Sequence, residues 1–234
     1  MSDLSIIIVA GGRGVRMGST LPKQYLMLHV KPILIWTIEH IHQALSKNLE
    51  IEIIVVRPKE DEYYLADLLK SYLTDDVSLK FADGGKERAE SVQNGLALAT
   101  GEYVAIHDGV RPFVTRGLFN RLWEERDNRS VVPALVPFES TRVKGTSGSF
   151  VSLARSEVRL VQTPQLFERS LLVEAYKKYQ QFPDPSCTDD SSIVEKYCGV
   201  IPQVIEGEEL NLKVTTPKDL AIAEMYLQRG IFQI

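Results

Sequence analysis

Residues 6–23 read I-I-I-V-A-G-G-R-G-V-R-M-G-S-T-L-P-K, an apolar run that passes directly into glycines. Four apolar, mostly β-branched residues in succession are typical of a buried strand, and the glycines indicate a tight turn. Glycine lets backbone N–H groups approach an anion without interference from Cβ atoms, and successive amides form an anion-binding concavity. This stretch predicts a strand that ends at a phosphate-binding loop, although a plain turn remains the alternative.

Fixed cations flank this glycine loop at Arg13, Arg16 and Lys23. Three nearby positive charges exceed what a dinucleotide diphosphate needs and suit a triphosphate whose negative charge grows during reaction. The loop differs from the dinucleotide-binding fingerprint because Met17 occupies the third glycine position. It is also not a P-loop, since no Gly-Lys-Ser/Thr triplet closes it.

The composition predicts one soluble domain over residues 1–234. The chain has 234 residues, is 44% hydrophobic and 25% charged, and carries a net charge of −4. That acidic balance excludes a general nucleic-acid binder, and two cysteines are too few for a disulfide framework. No basic segment precedes the first apolar run, and that run has the length of a strand, so we expect a cytoplasmic protein without a signal peptide or membrane span.

Strand and helix patterns alternate along the first half of the chain. Strands are predicted at residues 51–56, 77–81 and 103–106, and helices at 32–44, 61–73 and 89–99. The alternation predicts an α/β fold with a Rossmann-like, mostly parallel sheet and helices on both faces. Ligands of such sheets bind beyond the carboxyl ends of the strands, where the glycine-containing loops are expected to gather.

A second loop at residues 83–92 reads D-G-G-K-E-R-A-E-S-V. Gly85 permits close backbone approach, Arg88 offers a planar fork of donors, and Ser91 falls in the first turn of the next helix. These residues are candidates for binding a nucleotide phosphate or ribose. A turn with solvated charges at a helix start is the alternative, because such turns are common.

A third loop at residues 107–113 reads H-D-G-V-R-P-F and follows a predicted core strand. A carboxylate at this edge is well placed to hold a hydrated Mg²⁺ that also binds substrate phosphates, so Asp108 is the candidate metal ligand. Arg111 could orient that carboxylate or bind an anion. His107 is expected to be a packed, hydrogen-bonded histidine, because catalytic histidines normally have a nucleophile or an orienting acid beside them.

These loops, with four further segments, resemble the sugar-alcohol phosphate cytidylyltransferases. The matching segments run in family order and read V-A-G-G-R-G-V-R-M-G, L-P-K-Q-Y, D-G-G-K-E-R-A-E-S-V, H-D-G-V-R-P-F, V-Q-T-P-Q-L-F, C-T-D-D-S and N-L-K-V-T-T-P-K-D-L. The resemblance is strongest to the branch that acts on 2-C-methyl-D-erythritol 4-phosphate in non-mevalonate isoprenoid synthesis. It implies that the α-phosphorus of CTP is attacked by the acceptor phosphate, with Mg²⁺ as cofactor and pyrophosphate as the second product.

The resemblance also implies roles for individual residues. The catalytic cations are Arg16, Lys23 and Lys213. The nucleotide site includes Ala10, Gly11, Gly12, Gly14, Gly85, Arg88, Ser91 and Asp108. The acceptor site includes Arg155, Thr163 and Arg111.

The segment at residues 131–161 breaks the parallel pattern. Within it lies an excursion at residues 136–157, whose G-T-S-G centre indicates a β-hairpin. A lone hairpin cannot bury both of its faces. In the family it is an arm that reaches a second subunit, which implies a homodimer in which Arg155 holds the acceptor phosphate of the neighbouring site. Arg142 on the same arm is interpreted as a solvated charge.

Two alternatives remain open from the sequence. Ribitol 5-phosphate could be the acceptor, because that branch shares the H-D-x-V-R-P and Q-T-P-Q motifs. Against it, T-D-D-S-S-I-V-E at residues 188–195, followed by V-I-E-G and N-L-K-V-T, is more similar to the isoprenoid branch. The chain could also be an inactive nucleotide-binding protein. The presence of transition-state cations argues against that, since a binder could lose them without penalty.

Overall fold

The structure is a computed structural model that describes residues 2–12, 21–45, 48–74, 76–146 and 148–232. Its strands and helices are, in chain order, β1 (Leu4–Val9), β2 (Met27–Leu28), β3 (Lys31–Pro32), α1 (Ile33–Ala44), β4 (Ile51–Arg57), α2 (Glu62–Tyr72), β5 (Leu79–Asp83), α3 (Arg88–Leu96), β6 (Tyr103–Asp108), α4 (Arg116–Glu124), β7 (Ser130–Leu135), β8 (Arg142–Lys144), β9 (Phe150–Ser152), β10 (Leu160–Val161), β11 (Gln165–Glu168), α5 (Arg169–Gln181), α6 (Asp190–Cys198), β12 (Gln203–Glu206) and α7 (Pro217–Gln228).

The central sheet has the strand order β10-β7-β11-β6-β1-β4-β5, and β12 pairs with β7 outside this path. The strands β6, β1, β4 and β5 are mutually parallel, and β12 is parallel to β7. The strand β11 is antiparallel to both of its neighbours, β6 and β7. The sheet is therefore mixed but mostly parallel, as the alternating pattern predicted.

Alternate residues of β1 face opposite layers of helices. Ile6 and Ile8 belong to a buried cluster that also contains side chains of α1, α2 and α4. Ile7 belongs to a second cluster, formed with side chains of α3, α5 and α6. Side chains of a strand alternate between its two faces, so a wholly apolar strand is stable where both faces are covered. The continuous I-I-I-V run thus has its explanation in helices on both faces.

The predicted strands and helices before residue 110 are present, with bounds that differ by one to three residues. Within the segment 131–161, residues 131–135 belong to the buried strand β7, which is antiparallel to β10 and β11 and parallel to β12, so the parallel pattern is interrupted inside the central sheet as well as by the hairpin. The hairpin proper consists of β8 and β9, a separate two-stranded sheet whose residues are all exposed. Pairing of β7 with β12 joins residues about seventy positions apart in the chain, which local periodicity does not report.

Within the described part of the chain, we find no helix with the length and apolar character needed to cross a bilayer.

Candidate active site

The loops that follow β1, β5 and β6 meet at one edge of the sheet. The Gly84 amide donates to the Arg57 carbonyl at the end of β4 over 2.7 Å, which brings the loop after β5 close to Gly11. A Cβ atom on Gly85 would lie 2.3 Å from Cγ of Glu90, so only glycine fits the observed backbone there. Between these loops lies a cavity of about 190 Å³, which we call the nucleotide cavity because most of the predicted nucleotide residues line it.

The nucleotide cavity collects most of the residues that the sequence assigned to the nucleotide and to catalysis. The predicted residues in its lining are Ala10, Gly11, Gly12, Lys23, Gly85, Arg88, Ser91, Asp108 and Lys213. Gly14 and Arg16, together with Arg13, lie outside the described residues. The loops after three strands and a segment more than a hundred residues later thus contribute to one cavity.

Side chains behind the cavity hold its backbone in place. Gln24 is buried, lines the cavity and donates its amide to the Ala10 carbonyl over 2.7 Å. The Ser91 hydroxyl accepts from the Gly85 amide at 3.0 Å and donates to the Glu87 carbonyl. Gln24 was missed by the sequence interpretation, which used only the neighbouring lysine of the L-P-K-Q-Y motif. Its contact with Ala10 shows why glutamine follows that lysine.

Asp108 is surrounded by three cationic side chains. Its carboxylate oxygens are 2.9 Å from Nζ of Lys213, 3.3 Å from Nε of Arg111 and 3.7 Å from Nε of Arg88. Burial would raise the pKa of Asp108, but these three cations outweigh it and hold the pKa well below its ordinary value. The carboxylate is therefore ionised at neutral pH, and it fixes three cationic groups around one point.

Lys213 reaches this point because the segment before α7 is tied to the loop after β6. The Val214 amide donates to the Val110 carbonyl at 2.9 Å, and Nη1 of Arg111 donates to the Asn211 carbonyl at 2.7 Å. The side-chain Nδ2 of Asn211 in turn donates to the Thr163 carbonyl. Arg111, which is buried, thus holds both Asp108 and the backbone that carries Lys213.

His107 has no exposed surface, and one ring nitrogen is 3.0 Å from the Arg111 carbonyl. Burial lowers the pKa of His107 to about 4, so the ring is neutral at pH 7. This is the packed, hydrogen-bonded histidine that the sequence interpretation favoured over a catalytic one.

A second cavity, of about 620 Å³, shares Arg88, Asp108 and Lys213 with the nucleotide cavity. Because Arg111 and Thr163 also line it, we call it the acceptor cavity. It contains polar residues that the sequence interpretation did not assign to the acceptor: Arg159, Gln165, Thr188, Asp189, Ser191, Ser192 and Glu195. The C-T-D-D-S motif was the available signal, since it contains Thr188, Asp189 and Ser191.

Arg155 lies in neither of these cavities. It lines a third cavity, of about 630 Å³, together with Phe138 and Arg159 on the arm side of the molecule. Arg159 lines both this cavity and the acceptor cavity. Arg155 therefore does not line the nucleotide or the acceptor cavity of its own chain.

The residues that line the two cavities fit a magnesium ion whose other ligands are substrate oxygens and water. Among the described residues no group of three or more His, Cys, Asp or Glu side chains could hold a metal ion. Mg²⁺ is commonly held by one or two carboxylates together with substrate phosphates and water. Asp108 lines both the nucleotide and the acceptor cavities and supplies one such carboxylate.

Comparisons with known proteins agree on the family. The family described as IspD, 2-C-methyl-D-erythritol 4-phosphate cytidylyltransferase, matches residues 4–229. A protein of that name from Bacteroides fragilis is 43% identical over 223 residues, which cover 94% of this chain and 98% of the relative. One from Syntrophus aciditrophicus is 38% identical over 227 residues, covering 95% of each chain.

Solved structures give the same result. A 4-diphosphocytidyl-2C-methyl-D-erythritol synthase from Anaerococcus prevotii superposes with a TM-score of 0.83 at 30% identity, covering 97% of this chain and 99% of the other. A 2-C-methyl-D-erythritol 4-phosphate cytidylyltransferase from Thermus thermophilus gives 0.76 at 28% identity, covering 97% and 100%. These likenesses favour the methylerythritol branch over the ribitol branch and over an inactive binding protein. The chain belongs to the 2-C-methyl-D-erythritol 4-phosphate cytidylyltransferase family, whose members are nucleotidyltransferases.

Proposed function

We propose that this chain transfers the cytidylyl group of CTP to 2-C-methyl-D-erythritol 4-phosphate and releases pyrophosphate. The observation that supports this proposal is the wall shared by the two cavities, formed by Arg88, Asp108 and Lys213. A nucleotide on one side and an acceptor phosphate on the other would meet at Lys213. Holding two reactants in this way replaces a bimolecular encounter by a positioned one.

In this mechanism an oxygen of the acceptor phosphate attacks the α-phosphorus of CTP, and the bond from that phosphorus to the bridging oxygen breaks. Pyrophosphate leaves with the bonding electron pair. No protein nucleophile is needed, so catalysis consists of positioning and of stabilising the charge on the transferred phosphorus. Lys23 and Lys213, with Arg16 from the glycine loop, are the cations proposed for this task.

The nucleotide side is proposed to read cytidine through backbone groups. Ala10, Gly11, Gly12 and Gly85 line the cavity with little side-chain bulk, and Gly14 continues the same loop in the sequence. Fixed backbone donors and acceptors discriminate strongly, because a wrong base would leave them unpaired. Ser91 and Gln24 hold these backbone groups in place through the contacts described above.

Mg²⁺ is the proposed cofactor, with Asp108 as the protein carboxylate that would hold it beside the phosphates of CTP. The ion would supply positive charge that lowers the repulsion between the two substrate anions. Lys213 and Arg88 are both ion-paired with Asp108 in the structure. The Mg²⁺ ion and these two side chains would therefore share the negative charge of that carboxylate.

On the acceptor side we propose that Thr163, Arg111 and Arg159 surround the substrate in one subunit and that Arg155 comes from a second subunit. Arg155 lines the arm cavity beside Phe138, which is 73% exposed. The hairpin strands β8 and β9 are also exposed, including Phe150. Covering these apolar side chains in a symmetric homodimer would bring Arg155 to the neighbouring acceptor cavity.

The deciding experiment is pyrophosphate release from CTP and Mg²⁺, with 2-C-methyl-D-erythritol 4-phosphate and ribitol 5-phosphate as parallel acceptors. UTP and ATP serve as nucleotide controls. Turnover with methylerythritol phosphate and CTP alone is expected. Turnover only with ribitol phosphate would overturn the acceptor, and tight CTP binding without turnover on either acceptor would indicate a binding protein.

A further inference from the structure

A buried carboxylate lies behind the shared wall, at the first residue of α6. Asp190 has no exposed surface, and its two oxygens have different partners. Nη2 of Arg88 is 2.7 Å from Oδ2, and the hydroxyl of Tyr176 donates to Oδ1 over 2.5 Å. Tyr176 itself is buried on α5. Three elements distant in sequence, α3, α5 and α6, thus meet at one carboxylate.

A charge in such a position is costly unless it is paired and hydrogen-bonded. Burial and the neighbouring Asp190 carboxylate raise the pKa of Tyr176 well above its ordinary value. The phenol therefore stays protonated and donates a hydrogen bond to Asp190. Burial alone would lower the pKa of Arg88, but the carboxylates of Asp190 and Asp108 outweigh it and raise the pKa. The group is therefore a fixed arrangement of one tyrosine hydroxyl, one carboxylate and one guanidinium.

Arg88 faces two carboxylates at once. Its Nη2 is held by Asp190, while its Nε lies 3.7 Å from Asp108, the residue that binds Lys213. The guanidinium lines both the nucleotide and the acceptor cavities. The closer contact, 2.7 Å against 3.7 Å, is with Asp190, which lines neither the nucleotide nor the acceptor cavity. Arg88 is therefore ion-paired more closely with Asp190 than with Asp108.

We propose that Asp190 and Tyr176 are positioning residues, which hold the Arg88 guanidinium at the shared wall and leave Asp108 available to Lys213. The proposal deepens the proposed function and rests on it. Without the Asp190 charge, Arg88 would move toward the remaining carboxylate, Asp108, and compete there with Lys213. Small displacements of positioning groups can reduce kcat by one or two orders of magnitude.

The test is a double-mutant cycle on kcat with Asp190→Asn and Arg88→Gln. Asp190→Asn alone should lower kcat about tenfold with a change in CTP affinity of less than about threefold. In a chain that already carries Arg88→Gln, adding Asp190→Asn should change kcat by less than about twofold, because the partner is gone. Independent losses that multiply would overturn the proposal, since a purely structural carboxylate would act whichever residue stands at position 88.

Tyr176→Phe provides a second variant that keeps the charge balance and the core volume, for the case that Asp190→Asn does not fold. It should lower kcat about threefold, and this loss should also vanish beside Arg88→Gln. Tyr179→Phe is the matched control, because Tyr179 packs against Tyr176 on the same helix and is expected to leave kcat unchanged. Equal kcat for Tyr176→Phe and the parent would overturn the proposal, whereas an inactive parent chain would overturn the proposed function instead.

Discussion

The shared wall and the hairpin arm differ in whether their side chains find partners within one chain. At the wall, Asp108 is buried and ion-paired with Arg88, Arg111 and Lys213. On the arm, Phe138 is 73% and Phe150 is 62% exposed. The wall is built from charges that find partners within the chain, whereas the arm presents apolar rings to solvent.

This difference separates two kinds of functional residue. Groups at the wall are held by contacts inside the chain, so their geometry can be analysed in one subunit. An exposed apolar surface of this kind typically marks an interaction site, and residues beside it acquire their role only when the surface is covered. The predictions below test this division.

Replacing Lys213 by alanine should produce the largest effect, because it removes a cation from the point where we propose that the substrates meet. We expect kcat to fall about 100-fold or more, with a much smaller change in CTP affinity. Steady-state kinetics and calorimetric CTP binding measure the two quantities. Lys218→Ala, at an exposed position on the first turn of α7, is the control and should retain full kcat. A Lys213→Ala enzyme with normal kcat would remove this lysine from the mechanism.

A charge in the middle of the arm should break the proposed homodimer and with it the proposed acceptor site. Phe150→Asp is expected to shift the sedimentation coefficient from dimer to monomer and to reduce kcat/KM by tens of times, because an unpaired buried charge opposes association. Phe182→Asp is the control, since Phe182 is 74% exposed at the end of α5. If the parent chain sediments as a monomer and is fully active, the contrast between wall and arm has another explanation.

Arg155→Ala should act on the acceptor alone. We expect its KM for methylerythritol phosphate to rise about tenfold with KM for CTP unchanged, as for the loss of one charge-assisted contact. Arg142→Ala is the control on the same arm, where Arg142 donates to the Phe150 carbonyl. An unchanged acceptor KM would show that Arg159, within one subunit, is sufficient to hold the phosphate.

Acid should weaken the body of the protein before any carboxylate at the wall is protonated. Burial lowers the pKa of His40 and of His107 to about 4, from an unfolded value near 6.5. Between these values the unfolded chain binds more protons, so stability is fully present above about pH 6.5 and declines as the pH falls toward 4. Each histidine contributes up to about 3 kcal/mol over this range.

Thermal unfolding at pH 7.5 and pH 5 tests this expectation, and the arm contains no histidine that could contribute. His40→Gln should flatten the pH dependence of Tm, because it removes a buried histidine whose pKa burial lowers in the folded state. A parent protein with the same Tm at both values would contradict the expectation.

The sequence predicted the wall better than the connections behind it. Loops after successive parallel strands gather at one edge, so Gly85, Asp108 and the glycine loop could be placed near one another. Asp190 and Arg159 could not, because their roles depend on contacts between segments far apart in the chain. Gln24 could not, because its hydrogen bond to Ala10 joins two segments that local periodicity does not bring together. The strand β7 was not predicted, since its partner β12 follows it by about seventy residues.

The residue roles that the resemblance implies differ in how the structure bears on them. Lys213 lines both the nucleotide and the acceptor cavities, Thr163 lines the acceptor cavity, and Arg155 lines the separate arm cavity, so the roles of all three stay predictions. Arg16 and Gly14 fall outside the described residues, so their roles stay predictions. Side-chain identity alone does not say which subunit a residue serves.

The shared wall also matters for inhibitor design. Two adjoining cavities separated by three side chains could be occupied together by one compound that joins a cytidine-like part to an anionic polyol-like part. Binding of the first part would give the second a high effective concentration at its own cavity, so the linked compound would bind far more tightly than either fragment. Arg88, Asp108 and Lys213 define where the linker must pass.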